Sequence, residues 1–359
     1  MITILRHFAF IITGIILRWP LWLLIGLIGR TGIFKTVFLV YPHDEIEVQG
    51  FCPNLKILRR FLSGRPTPAG LIMDGLLPMG FYLVIPDLAK DLALKKNRGL
   101  AETIVQRMRW IRRIAGARTI GLAGQLGPIF EKRHDIPMEP PLFGSIHGNI
   151  FSIHQAIKWV AGQNRFILPQ QRVAVVGGGE MGNVLKGYLE GQGYLCSLVG
   201  LRYTRKGEVV PLQLDMESSE LRQVDFVVNL MPKGEDFIAS GLGQVIPEDA
   251  AIIDFSRPAI PAGKVAQKVY LGNRICHAGM RFVFALPGGW KQKQLPACSL
   301  PALVAALSDI APASLDSFCQ RARQLKFSTA LVDTPAANVE EEKTFGDISL
   351  LELSFSRNR

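Results

Sequence analysis

The order of apolar and polar positions divides the chain into four stretches, and the first is the most unusual. Residues 1–35 are almost wholly apolar between Phe8 and Leu17 and again between Trp19 and Ile28. Arg18 and Pro20 interrupt the run near its middle, and Arg6 and Arg30 flank it. A clean spanning helix needs about 20 apolar residues, and a central arginine opposes insertion by about 2.5–3.5 kcal/mol. The pattern therefore predicts two short apolar helices, bent at Pro20 and lying in one leaflet, with Arg18, Trp19 and Trp22 near the headgroups. A spanning anchor and a buried soluble helix are the other readings of the same run. No small-x-small cleavage site follows it, which argues against a secretory signal.

Residues 36–150 read as an α/β domain. Short strands are expected at 36–40 and 45–48, and a loop rich in Gly and Pro at 63–70. The apolar but broken stretch 71–85 reads as loop and strand, followed by a helix over 100–115 and a strand over 119–122. That strand runs into a glycine-rich loop, Gly121-Leu-Ala-Gly124-Gln-Leu-Gly127-Pro-Ile-Phe130. A helix near 150–160, capped by Ser145 or Asn149, links this domain to residues 151–298. There the apolar run 172–176 reads as a buried parallel strand, and Val184, Leu185, Tyr188 and Leu189 recur at helical spacing. Further strands are expected at 195–199, at 224–230 and at 250–255, the last two as strands four and five. The fold class is α/β: a Rossmann-type doubly wound parallel sheet, a second α/β substrate domain and an apolar N-terminal helical segment. Residues 299–359 are expected to supply helices that pack back on the first domain, then a tail of mixed charge.

Between the 172–176 strand and its helix, Gly177, Gly179 and Gly182 fill the spacing G-x-G-x-x-G. The first glycine permits the turn, the second admits a pyrophosphate, and the third lets helix and strand approach. The helix N-terminus, beginning with Glu180 and Met181, offers free amides to the anion. After the second strand no acid stands ready for a ribose; Arg202, Arg205 and Lys206 do, and cations suit a 2′-phosphate, which favours NADP(H). Ligands of such sheets lie outside the carboxyl ends of the strands. Met231-Pro232-Lys233-Gly234 and Asp254-Phe-Ser-Arg257-Pro258 are at two of those ends. Met231 and Pro232 are thereby candidates beside the cofactor, and Lys233 for a phosphate, a ribose hydroxyl or a developing oxyanion. His147 and His154 precede and enter the linking helix, and His147 is the candidate for proton transfer.

Cys298 lies just before Pro301, which tolerates only the first turn of a helix. A thiol at a helix N-terminus is expected to move from about 8.5 toward neutrality, with Lys291 and Lys293 adding positive potential. An activated cysteine beside a dinucleotide site points to reduction through a thioester; a buried structural cysteine is the bland alternative.

Composition narrows the partners. With 359 residues, 48% hydrophobic and 20% charged, the chain can bury two cores. Its formal charge of +11 suits an acidic carrier protein or an anionic membrane, and without an RNA-binding motif nucleic acid ranks last. Five cysteines without C-x-x-C spacing suggest neither a disulfide frame nor a metal site, which fits a reducing cytoplasm.

The segments Gly121 to Phe130, Phe143 to Asn149, Val173 to Gly182, Met231 to Gly234 and Gln294-Leu-Pro-Ala-Cys298 occur in the same order as in a known family. In these the chain resembles the aldehyde-forming long-chain acyl-[acyl-carrier-protein] reductases of cyanobacterial hydrocarbon synthesis, over about Thr36 to Leu331. The resemblance implies that Cys298 attacks an acyl thioester of acyl carrier protein or coenzyme A and holds the acyl group. NADPH on the glycine turn would then release a fatty aldehyde. The family follows its Gly-Asn pair with Thr-His, where this chain has Ile150-Phe151, so His147 or His277 would have to replace that histidine. The turn also reads Gly-Gly-Gly-Glu where the family tends to Gly-Ala-Thr-Gly. An enzyme of this kind would work at the cytoplasmic face of a membrane. The alternatives are another NADPH oxidoreductase of shikimate-dehydrogenase-like or glutamyl-tRNA-reductase-like layout, or a non-catalytic, membrane-bound nucleotide-binding module.

Overall fold

The computed structural model of the chain describes residues 11–49, 55–164, 171–204, 208–210, 218–283, 290–308 and 311–333. Two six-stranded sheets organise it. The first is built from β1 (Thr36–Val40), β2 (Thr67–Asp74), β3 (Leu77–Val84), β4 (Thr119–Leu122) and β5 (Leu142–Phe143), with Met280–Val283 at its edge. Its spatial order is Met280–Val283, β2, β3, β1, β4, β5. The three pairings β3·β1, β1·β4 and β4·β5 are parallel, whereas β2 pairs antiparallel with both β3 and the edge strand. The central strand β1 is Thr-Val-Phe-Leu-Val, buried at every position because both faces are covered. The stretch 71–85 is thus mostly the hairpin of β2 and β3, closed through Gly75 at φ +59°, rather than the loop and strand its broken pattern suggests. Glu45–Gln49 is a helix and not the strand expected there; Asp44 Oδ1 accepts from Glu47 N, a local bond that favours a helical start over a strand.

The second sheet contains β6 (Arg172–Val176), β7 (Leu195–Val199), β8 (Phe226–Asn229), β9 (Ala251–Asp254) and β10 (Lys268–Leu271), all parallel, in the order β7, β6, β8, β9, β10. Val332–Asp333 adds an antiparallel edge next to β10. β8 and β9 are therefore third and fourth in the parallel sheet, one place earlier than the sequence suggests, because Arg202–Tyr203 and Val209–Val210 form a separate ribbon. The strand order reverses between β6 and β8, the doubly wound arrangement whose crevice opens at that switch point.

Helices cover both sheets. α1 (Arg18–Gly29) and α2 (Arg98–Ile114) lie on one face of the first sheet; α3 (Ile146–Asn164) and α4 (Glu180–Gly191) lie on one face of the second. Before α1 the chain makes a π-turn, Ile12–Ile16, and breaks at Leu17. The bend expected at Pro20 is absent, since Pro20 lies in the first turn of α1, where no intrahelical N–H is needed. Trp22 anchors α1 through an edge-on contact with Trp110 at 5.8 Å and a tilted one with Phe81 at 6.4 Å. Among the described residues no helix is long and apolar enough to cross a membrane.

After β10 the chain returns to the first sheet at Met280–Val283, earlier than the boundary expected at 298. It then enters α5 (Leu300–Leu307) and α6 (Leu315–Gln324). α5 is buried against β1 and β4, with Thr119 Oγ1 donating to the Ala302 carbonyl at 3.0 Å. The tail beyond 333, Cys52 and Arg205 lie outside the described residues.

Candidate active site

One cleft of about 650 Å³ lies between the carboxyl ends of the two sheets. From the second sheet it receives the turn after β6, and the loops after β8 and β9. From the first it receives the loops after β1 and β4, and Pro296 and Cys298 also line it.

The glycine turn is built as its spacing requires. Gly177 has φ +118°, open to glycine but strained for other residues. A Cβ on Gly182 would collide with the Gly177 carbonyl, so only glycine lets α4 start this close to β6. A Cβ on Gly179 would meet nothing within 4 Å, so its lack of a side chain answers to space in the cleft and not to packing. Asn183 Nδ2 donates to the Gly178 and Gly179 carbonyls at 3.1 and 3.0 Å, which turns those oxygens away from the mouth of the helix. Glu180 pairs with Lys132 at 2.9 Å across the cleft. Met181 is held by Asn149 Nδ2, 3.4 Å from its sulfur. Gly177, Gly179, Glu180, Met181, Gly182, Met231 and Pro232 all line this one space. Arg202 follows β7 in the short ribbon of Arg202–Tyr203 with Val209–Val210.

Asp254 ties the β8 and β9 loops together. Its Oδ1 accepts from Asn229 Nδ2, Ser256 N and Ser256 Oγ at 2.6 to 2.9 Å, and its Oδ2 from Ile260 N at 2.7 Å. Burial nevertheless raises its carboxyl above the ordinary carboxylate range, against those four donors. Desolvation of a buried carboxylate, several kcal/mol, outweighs charge-assisted bonds of about 1.5–3 kcal/mol each that also exist in part with water when unfolded.

Cys298 sits in the turn Ala297–Ser299 that leads into α5, the position expected from Pro301. Gly148 brings α3 against this turn: a Cβ there would strike the Ala297 carbonyl. Cys298 is half-buried as a residue and lines the same cleft as the glycine turn. Its expected acidity is not found. Burial pushes the thiol up, more than the Gly124 amide bonded to it, the Arg257 guanidinium and its own amide bring it down. Lys291 and Lys293 are exposed and do not contribute; Arg257 supplies the positive potential.

The two other candidates leave the cleft. His147 stacks on Phe318 of α6 with ring centroids 5.5 Å apart, and burial holds its imidazole below the ordinary value. Lys233 is exposed at the start of the short helix Gly234–Ala239, where its field reaches His43 but its side chain does not line the space. His277, the other substitute, stacks on Phe327 at 4.9 Å and is likewise off the cleft wall.

The loop after β1 supplies residues the sequence reading passed over. Tyr41 accepts a hydrogen bond from Gln125 N at 3.1 Å, which leaves its own hydroxyl proton free to donate, and burial raises its pKa so that it keeps that proton. His43 donates its backbone N–H to Glu47 Oε2 at 2.7 Å. Glu47 Oε1 accepts from Arg257 Nε and Nη2, both at 2.7 Å, a pair that joins the first sheet to the β9 loop. Burial, more than its charged neighbours, keeps His43 below the ordinary imidazole value and therefore neutral near pH 7. These residues follow the carboxyl end of a parallel strand, the one signal that could have found them.

No protein-family model and no curated protein matches the chain. Solved structures with some likeness include the methylenetetrahydrofolate dehydrogenase-cyclohydrolase of Trypanosoma brucei, complexed with NADP and an inhibitor. It is 12% identical, with 86% of this chain and 96% of that one covered, at a TM-score of 0.33. The bifunctional enzyme of the same name from Thermoplasma acidophilum is 14% identical over 84% and 94%, with a TM-score of 0.32. A D-isomer-specific 2-hydroxyacid dehydrogenase family protein of Klebsiella pneumoniae is 14% identical over 62% and 71%, with a TM-score of 0.26. Likeness of this degree adds nothing to the topology and geometry described above.

Proposed function

We propose that the chain is an NAD(P)-dependent oxidoreductase that reduces an acyl thioester to an aldehyde through an acyl-enzyme on Cys298. The observation that carries this reading is the position of the Cys298 sulfur in the same cleft as the glycine turn. The cleft fits a dinucleotide: Gly179 leaves its mouth open, and Gly177 and Gly182 permit the close turn at the start of α4. Gly177, Gly179 and Gly182 would hold the pyrophosphate, with Met231 and Pro232 beside the rest of the cofactor and Arg202 toward a 2′-phosphate. NADPH, when bound, supplies a hydride.

The protein's own residues do the remaining work. His43, neutral, takes the thiol proton, and the Cys298 sulfur forms a bond to the thioester carbonyl carbon. The bond from that carbon to the carrier sulfur breaks, and the carrier leaves as a thiol with the proton that His43 held. Tyr41 and the Gly124 amide donate to the carbonyl oxygen while it carries negative charge. When the acyl group departs as aldehyde, its carbon–sulfur bond breaks with the electron pair left on the Cys298 sulfur, which takes a new proton from solvent. His43 and Tyr41 thus take the roles expected of His147 and Lys233. The positive net charge suits an acyl carrier protein, and coenzyme A, also anionic, suits the same field.

The test is incubation with a labelled acyl thioester in the absence of NADPH. Label should remain on the denatured wild type and be absent from Cys298→Ser; label on neither protein overturns the reading. A second reading, hydride transfer to a carbonyl substrate without a covalent intermediate, draws on the raised thiol. It takes over if Cys298→Ser oxidises NADPH as fast as the wild type.

Gly179 gives a separate check on the cofactor half. Gly179→Val should weaken NADPH binding by roughly tenfold or more, about 1.4 kcal/mol, while the thermal midpoint stays near that of the wild type. Isothermal titration and a melting curve read the two quantities. Unchanged affinity would place the nucleotide elsewhere.

A further inference from the structure

We infer that the outer face of α1, with Arg18, Arg65 and Arg107 at its N-terminal end, is a docking surface for the anionic headgroups of a lipid bilayer. This inference stands independently of the reductase reading. α1 is apolar on every side, a composition that ordinarily marks a helix buried all round. Among the described residues only one side of it is packed against the rest of the chain. Trp22, Ile25 and Gly29 meet α2, with Gly29 so close that a Cβ would lie 2.6 Å from the Ala115 carbonyl. On the opposite side Trp19, Leu23 and Leu27 are 65–74% exposed, and Ile16 at the end of the preceding turn is 68% exposed. Positions 19, 23 and 27 recur at i, i+4 and i+8 along α1, so the exposure is a continuous strip and not scattered residues. Among the described residues no helix can cross a bilayer; lying in the plane of a surface, the strip would seat its apolar edge at the boundary of headgroups and acyl chains.

Charge selects the occupant. Arg18 begins α1, Arg65 follows the helix Leu55–Leu62, and Arg107 projects from α2 with Nη1 donating to the Gly64 carbonyl at 2.5 Å. Among the described residues none of the three is in an ion pair. The nearby Asp87 is engaged with Ser63 Oγ and Gly64 N. Burial lowers Arg18 and Arg107 below the ordinary guanidinium value, and the mutual repulsion of the cluster lowers them further. Three cations gathered without an acid, at the end of an exposed apolar strip, match a surface that is apolar inside and anionic outside. A neutral protein groove would leave the cations unpaired. A bilayer with phosphate-bearing anionic lipids satisfies both halves of the surface.

The test is flotation of the full chain with vesicles of phosphatidylcholine alone and of phosphatidylcholine mixed with phosphatidylglycerol. The mixed vesicles should carry the protein and the neutral ones should not. Arg18→Gln with Arg65→Gln should weaken binding about fivefold per charge removed. Leu23→Gln with Leu27→Gln should abolish it, and melting should leave both variants folded, since Leu23, Leu27 and Arg65 are exposed and Arg18 is only half-buried. Equal binding to the two vesicle types, or arginine variants that bind like the wild type, would overturn the inference. So would a chain that ignores both vesicles and forms dimers dissolved by Leu23→Gln with Leu27→Gln, which assigns the strip to a second copy.

Discussion

Replacing Cys298 by serine is expected to lower kcat/KM for an acyl thioester by about a thousandfold or more, some 4 kcal/mol of transition-state stabilisation, with NADPH affinity unchanged. Serine fits the same space, so the turn Ala297–Ser299 and its contact with Gly148 should persist. The loss is chemical. An alkoxide is far harder to form than a thiolate, and the cleft offers one neutral imidazole, His43, as base. The pH profile adds a second, independent reading. Burial holds the Cys298 thiol above its ordinary value, so the nucleophile near pH 7 is the thiol with neutral His43 as its base, and kcat/KM should rise only until His43 is neutral, below 6.5, and stay level from there to past about pH 8.5. A profile that keeps rising through pH 8.5 would mean that a free thiolate, without His43, is the nucleophile. Aldehyde formation measured across pH, with NADPH titrated in parallel, separates the chemical loss from a binding loss.

The second sheet was legible because both of its signals are local. An unbroken apolar run followed by glycines at fixed spacing can only be a buried strand feeding a helix, and β6, the turn and α4 stand where those signals put them. Cys298 was legible for the same reason, since Pro301 restricts the start of α5 through sterics within one turn. What was hidden depends on contacts distant in sequence. Glu47 meets Arg257 from 210 residues away, and nothing in the stretch Tyr41 to Glu47 announces that it faces the glycine turn. His147 looked well placed beside the linking helix, but a helical position also fixes direction, and its ring points to Phe318. The thiol was misread because a helix terminus acts through about half a unit of charge, while desolvation acts on the whole ion. A sequence shows the first of these and conceals the second.

Acid should loosen the linking helix, and His154 is the reason. This residue sits in the middle of α3, 1% exposed, with its Nδ1 3.1 Å from the Tyr188 hydroxyl and its ring edge-on to Tyr188 and Tyr194. No partner meets its Nε2 among the described residues. Burial, then the positive charges of Lys158 and Arg323, drives the imidazole down from 6.5 to about 3. The folded chain therefore binds fewer protons than the unfolded chain between those values. The stability this neutral histidine permits is fully present above pH 6.5 and is lost as pH falls toward 3, on the order of 5 kcal/mol over the whole window. His43 and His147, also held low by burial, act in the same direction, whereas the raised carboxyls of Asp87 and Asp254 act against it. His154→Gln keeps a polar partner for Tyr188 and cannot take up a proton. Its urea midpoint should fall less than that of the wild type between pH 6.5 and pH 4. Parallel slopes for the two proteins would move the acid sensitivity to other groups. Because α3 spans from the turn that holds Cys298 to the face of the second sheet, its loosening should also separate the two walls of the cleft. The fall in NADPH affinity should then track the fall in stability, and should be smaller in His154→Gln.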